Sequence, residues 1–163
     1  MARKVFYSFH YIPDNWRAGQ VRNAGVVEGN VPVSDNDWEK VTGKGEDAIK
    51  NWIAEQMKGR SCAVVLTGYG TAGRKWITHE IVEAWKKGMG VVGVRIHGLK
   101  DKSGNQSYSG GNPFDHVTLG EKKLSSVVKL YDPSGAESTD VYATIKKNLE
   151  AWTDEACTIR AKY

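Results

Sequence analysis

Cys62-Ala63-Val64-Val65-Leu66-Thr67-Gly68-Tyr69-Gly70-Thr71-Ala72-Gly73-Arg74-Lys75-Trp76-Ile77-Thr78-His79-Glu80-Ile81 joins an unbroken apolar run to a glycine-rich turn and then to an amphipathic stretch. The run 62–67 has strand length and no polar alternation, the pattern of a strand buried on both faces. Beyond Gly73, Ile77, Ile81, Ala84 and Trp85 recur at helical spacing, which predicts a helix. A buried strand turning tightly into a helix is half of a β-α-β unit and predicts a parallel sheet with right-handed crossovers.

Working outward, the same alternation recurs. Val5 to Tyr11, Gly90 to His97 and Val127 to Tyr131 are further strand candidates, and Val26 to Val33, which contains Gly29 and Pro32, fits only an edge strand. Residues 46–58 carry Ile49, Trp52, Ile53 and Met57 on one stripe, and the C-terminal segment repeats Val141, Ile145, Leu149, Trp152, Ala156 and Ile159. A shorter helix is expected after Pro13, which lacks the N–H that a first helical position leaves unused. The pattern predicts an α/β, flavodoxin-like three-layer sandwich with a five-stranded, mostly parallel sheet in the order 2-1-3-4-5. Its ligand crevice would open at the carboxyl ends of strands 1 and 3, setting Ser8-Phe9-His10 opposite Gly68 to Gly73. Gly98 to Leu119 is a long loop, the kind that is usually functional or mobile.

Composition narrows the function classes. The chain has 163 residues, 40% hydrophobic and 26% charged, so residues 1–163 read as a single globular domain. No apolar run approaches membrane-spanning length. The basic start followed by Val5 to Ile12 imitates a short signal peptide, but His10 and Asp14 interrupt it and no small-residue cleavage site follows. The two cysteines, Cys62 and Cys157, form neither a disulfide framework nor a metal-ligand cluster, and a cytoplasmic location is the simplest expectation. The net charge of +4 suits a polyphosphate, whereas scattered Lys-Lys doublets without interleaved aromatics argue against nucleic acid. His10, His79, His97 and His116 lack ligand spacing, so no metal site is expected.

Gly68-x-Gly70-x-x-Gly73 proposes a dinucleotide fingerprint. The acid that should end the next strand is missing, since that strand closes Arg95-Ile96-His97, and no second half exists for hydride transfer. The glycines still permit close backbone approach, and the helix start still favours anions. A phosphoacceptor receiver would need an Asp after strand 3, where Thr67-Gly68 stands, and a flavodoxin would need a Ser/Thr-rich loop in place of Tyr11-Ile12-Pro13. Trp76-x-x-x-Glu80 sets an aromatic and an acid on one helix face, away from the Ile77 and Ile81 stripe. That spacing fits a crevice carboxylate, and it equally fits an exposed glutamate beside a half-buried tryptophan.

These residues also resemble a family. Arg3-Lys4-Val5-Phe6-Tyr7-Ser8-Phe9-His10-Tyr11 is similar to the first strand of bacterial TIR-like proteins. Arg74-Lys75-Trp76-Ile77-Thr78-His79-Glu80-Ile81 resembles their third helix, with Glu80 where the catalytic glutamate falls. Asp35-x-x-Trp38-Glu39, Lys100-Asp101-Lys102-x-Gly104-Asn105 and Asn112-Pro113-Phe114-Asp115 resemble the subgroup found in Thoeris anti-phage systems. The resemblance runs from residue 3 to about 119, and residues 120–138 depart from it.

The resemblance implies a TIR-like domain that cleaves NAD⁺ at the nicotinamide–ribose bond and makes a cyclic ADP-ribose-type signal, with NAD⁺ as substrate and no cofactor. Glu80 would be the catalytic carboxylate. Ser8, Phe9 and His10 would form one wall, with Asp35, Trp38 and Trp76 beside the substrate, the two tryptophans as aromatic platforms. Gly68, Gly70 and Thr71 would offer backbone and hydroxyl contacts, and Arg74 would meet the diphosphate. The implied partners are an effector protein reached through the diffusible nucleotide, a phage protein as trigger, and further copies of the chain. Two other readings share the architecture: a non-catalytic TIR-like adaptor, and a nucleoside deoxyribosyltransferase with the carboxylate as nucleophile.

Overall fold

The computed structural model describes residues 3–29 and 43–163. Among them, β1 (Lys4–Ser8), β2 (Glu28–Gly29), β3 (Cys62–Thr67) and β4 (Gly90–Arg95) join β7 (Leu130–Tyr131) in a sheet ordered β2-β1-β3-β4-β7. Every pairing in it is parallel, with Val5 opposite Cys62 and Thr67 opposite Arg95. This is the α/β, flavodoxin-like TIR architecture, with the fifth strand in sequence expectation falling at β7. The short β5 (Thr118–Leu119) and β6 (Lys122–Lys123) form a separate antiparallel hairpin.

The strands' period of two divides the core. Val5, Tyr7, Cys62, Val64, Leu66, Val92 and Val94 face α1 (Tyr11–Asn23) and α4 (Ser138–Arg160), where Ala18, Val21, Val141, Ile145 and Leu149 complete one cluster. Phe6, Ala63, Val65 and Val91 face α2 (Glu46–Met57) and α3 (Lys75–Lys86), where Ile49, Ile53, Ile77 and Ile81 complete the other. Layers of helix, sheet and helix result, and the six residues of β3 are all buried.

The element ends differ from the sequence expectation for local reasons. The first strand stops at Ser8 rather than Tyr11, and α1 begins at Tyr11, ahead of Pro13. Pro13 sits inside the first turn, where its absent N–H is still not missed, and Asp14 N–H already donates to His10 O at 3.1 Å. The fourth strand ends at Arg95, short of His97. The last strand shrinks to Leu130–Tyr131 because Val127 and Val128 are spent closing a turn onto Leu124 O. Of the Val26 to Val33 candidate, Glu28–Gly29 is an edge strand beside β1, and the part beyond residue 29 lies outside the described residues.

The long loop after β4 is strapped to the sheet. Ser107 N–H donates to His97 O at 2.8 Å, Arg95 Nη1 to Gly110 O at 2.7 Å, and Gln106 Nε2 to Gly98 O at 2.8 Å. Asp101 Oδ1 accepts from Ser103 and Asn105 N–H at 2.9 Å, making a tight turn of the Lys100 to Asn105 motif. Asn112 Oδ1 caps Phe114 N–H at 2.9 Å and the Phe114 ring is fully buried, so the second loop motif anchors the strap in the core.

Candidate active site

Several buried polar atoms at or beyond the carboxyl ends of the strands and on the flanking helices lack a hydrogen-bond partner among the described residues. These include Ser8 Oγ, His10 Nδ1, Asp14 Oδ2, Glu80 Oε2 and His97 Nδ1. Native interiors pair nearly all such atoms, through protein groups, water or a ligand, so these positions are candidates for solvent or ligand contacts. The carboxyl ends of the strands are where the strand order predicts a crevice.

Glu80 is the candidate acid that the sequence singles out. The residue is 8% exposed, on the inner face of α3 with Ile77, Ile81 and Ala84. Burial pushes its carboxyl up to about 8, and the Ser8 hydroxyl at the end of β1 pulls it partly back. Ser8 is near enough to favour the charged form, yet neither Ser8 Oγ nor Glu80 Oε2 completes a hydrogen bond among the described residues. The sequence left Glu80 open between crevice carboxylate and exposed surface acid, and the structure buries it.

The other candidates divide into groups. Phe9 leaves the strand end on the α1/α4 side, packing on that core and stacking on Tyr11 with ring centroids 6.0 Å apart. His10 lies beside Gly70 and Arg74, lining one pocket with Asp14 and Arg17 of α1. Burial and the Arg74 charge hold the His10 imidazole below its usual range, against the pull of Asp14. Ser8 thus stands beside Glu80, Phe9 against the α1/α4 core, and His10 beside the glycine turn. Thr71 is fully buried, and its Oγ1 accepts the Gly68 N–H at 2.7 Å, which closes the glycine turn. Arg74 Nε donates to Gly70 O at 3.1 Å from the residue preceding α3. Trp76 lies one turn before Glu80, partly buried on the α2/α3 side, edge-on to His79 at 5.5 Å with Lys75 Nζ 5.2 Å from its ring centroid. Asp35 and Trp38 lie outside the described residues.

Sequence reasoning missed Asp14 and Arg17. Both are buried on α1, and Arg17 Nη1 donates to Asp14 Oδ1 at 3.1 Å. Arg17 also donates to Leu99 O at 2.8 Å and to Asn105 O at 2.9 Å, tying α1 to the strap. Burial raises the Asp14 carboxyl and Arg17 opposes that rise. Gly68 is required here, since a Cβ on it would stand 2.2 Å from Asp14 Oδ2. Together with His10, Ile12, Tyr69, Gly70, Arg74 and Ser107, the pair lines a cavity of about 500 Å³. The available signal was the Asp14-x-x-Arg17 spacing just after strand 1; what it lacks is any sign that both charges are buried.

The chain matches the family model described as Thoeris protein ThsB, TIR-like domain, over residues 6–101. It is also similar to a protein of Bacillus cereus (strain MSX-D12) named "Putative cyclic ADP-D-ribose synthase ThsB1". The two are 32% identical over 142 residues, spanning 84% of this chain and 74% of that protein. The family match includes Ser8, Asp14, Arg17, the glycine turn and Glu80, and it ends at Asp101 in the first turn of the strap.

Proposed function

The chain belongs to the Thoeris ThsB TIR-like domain family, and from that premise we propose that it cleaves NAD⁺ at the nicotinamide–ribose bond and converts the ADP-ribose into a cyclic signal. The observation that carries this reading is the buried Glu80 carboxyl beside Ser8 at the end of β1, its Oε2 without a hydrogen-bond partner among the described residues. The name of the Bacillus cereus relative supports the product class.

The chemistry asks for little more. Nicotinamide is already cationic in NAD⁺ and leaves neutral, so no general acid has to protonate it. The need is for one carboxylate beside the ribose, accepting its hydroxyl protons and stabilising the oxocarbenium-like transition state. An empty site keeps Glu80 protonated at neutral pH, its carboxyl standing at about 8. A pyridinium-bearing substrate placed next to it favours the anion, because an opposite charge lowers a carboxyl pKa. The Glu80 anion then matches the cation that develops as the glycosidic bond breaks. Cyclisation follows when the far end of the same molecule folds back, since a held hydroxyl outcompetes water through its effective molarity. Ser8 orients Glu80, Trp76 packs beside it, and Arg74 with the Gly68–Gly70 backbone takes the diphosphate. Asp35 and Trp38 complete the substrate contacts.

In this reading the released nucleotide diffuses to an effector protein, in the cytoplasm, after a phage protein triggers synthesis. Self-assembly accompanies activity. Ile12 (81% exposed), Trp16 (52%), Tyr69 (66%) and Tyr108 (81%) present large apolar surface on α1, the glycine turn and the strap, the elements around the crevice. The test is mass spectrometry of nucleotides from phage-challenged cells expressing the protein or its Glu80→Gln variant. A cyclic ADP-ribose-type product found only with the unaltered protein supports the proposal. Intact NAD⁺ in both, or the same product from both, overturns it in favour of an adaptor.

A further inference from the structure

We propose that Cys157 and Cys62 form an oxidation site, at which hydrogen peroxide drives closure of a reversible disulfide between α4 and β3. The site lies at the amino end of the sheet, away from Glu80, and does not depend on the catalytic reading.

Three features place the thiols together. Cys62 opens β3 with its side chain on the face that α4 covers. Its partner across the ladder is Gly90, at a spacing of about 4.8 Å. α4 rests directly on that glycine, since a Cβ there would lie 2.6 Å from Cys157 N and 2.9 Å from Cys157 Cα. Cys157 therefore overlies the strand next to Cys62, on the face that carries the Cys62 side chain, and the two thiols are close enough to share a hydrogen bond. The surroundings activate the outer sulfur. Arg3 Nη1 donates to Cys157 Sγ at 3.3 Å, while Arg3 Nε is held by Asp154 Oδ1 at 2.8 Å. In its thiol form Cys157 donates to Ser61 O at 3.4 Å. Donation from Cys62, reinforced by Arg3 and the Gly90 N–H, holds the Cys157 thiol down to about 6. The same pairing, with burial, pushes Cys62 up, so it keeps its proton. Cys157 is half-buried and open to a small oxidant, whereas Cys62 is enclosed.

The chemistry balances in two steps. The Cys157 thiolate attacks one peroxide oxygen, the O–O bond breaks, and the departing hydroxide takes a proton to become water. Sulfur is thereby oxidised to a sulfenic acid. The Cys62 sulfur then attacks the Cys157 sulfur, the S–S bond forms as the S–O bond breaks, and the hydroxide leaves with the Cys62 proton as a second water. One peroxide and two thiols give one disulfide and two waters.

The test treats the folded protein with hydrogen peroxide and maps its peptides without reduction. The expected result is a monomer lighter by two hydrogens with the Cys62 and Cys157 peptides joined, reversed by dithiothreitol. Closing a loop from residue 62 to 157 should raise Tm by roughly 5–10 °C. In Cys62→Ser, Cys157 should instead be trapped as a sulfenic acid by a dimedone probe, while Cys157→Ser should leave Cys62 unmodified. Two free thiols after peroxide, a bridge only between molecules, or equal oxidation of Cys62 in Cys157→Ser would overturn the proposal. The unaltered protein alone decides the first two outcomes, so a variant that failed to fold would not protect the idea.

Discussion

Glu80 carries a stability cost that the proposed chemistry explains. Its folded-state carboxyl sits at about 8, above the ordinary 4.5 of an exposed glutamate. The folded protein therefore holds this proton more tightly than the unfolded chain does. That stabilisation is complete below about pH 4.5, falls as pH rises toward 8, and is gone above it. Glu80→Gln does not titrate, so it should be more stable than the unaltered protein at pH 9, by an amount on the order of a few kcal/mol. At pH 5 the two should melt within a degree or two of each other, and thermal denaturation at both pH values checks this. In turnover, kcat/KM should climb as pH approaches 8, because it reports the free enzyme's ionisation. A pH-independent kcat/KM between 6 and 9 would contradict an ionised Glu80. At this scale the sequence showed residue type and spacing but not environment. Trp76-x-x-x-Glu80 pointed to the acid, and only packing against Ser8 revealed its burial. Asp14 and Arg17 went unnoticed for the same reason, since residue type and spacing do not show that both charges are buried.

The strap between β4 and β5 belongs to the element scale. Its attachments are mostly side-chain donors on backbone carbonyls: Arg17 on Leu99 and Asn105, and Arg95 on Gly110. Such acceptors have no signature in residue type, so Gly98 to Leu119 read simply as a long loop. Arg17→Met should cost about 3–5 kcal/mol, since it strands the buried Asp14 charge and frees the strap. Arg17→Met should also speed proteolytic cleavage between residues 100 and 112, whereas Asp14→Asn should affect cleavage far less. Gly110→Ala tests the seat of the strap, because its Cβ would press within 2.2 Å of Tyr69 O. Overpacking of that kind costs about 1–3 kcal/mol, readable as a lower urea midpoint. Strand ends were also poorly legible. Hydrophobic runs continue past the strand ends, as Ile96 shows: it is buried just beyond β4, and its N–H still donates to Thr67 O at 2.9 Å.

At the scale of the whole molecule, the sheet order was legible because buried parallel strands are continuous apolar runs punctuated by helices. The hairpin of β5 and β6 was not, since Thr118–Leu119 and Lys122–Lys123 are too short and too polar to show a period. If copies of the chain assemble through the exposed aromatic surface around the crevice, nicotinamide release per protomer should rise with protein concentration. Tyr69→Ser should flatten that dependence, and a rate strictly proportional to concentration would remove self-assembly from the account.

The most direct measurement is a time course of nicotinamide release from NAD⁺ by the purified protein at pH 8, beside Glu80→Gln shown to be folded at the same temperature. The account predicts release with an ADP-ribose-derived product, reduced at least about 100-fold in the variant. NAD⁺ left intact by the unaltered protein across the concentration range, or cleaved equally by Glu80→Gln, would contradict it.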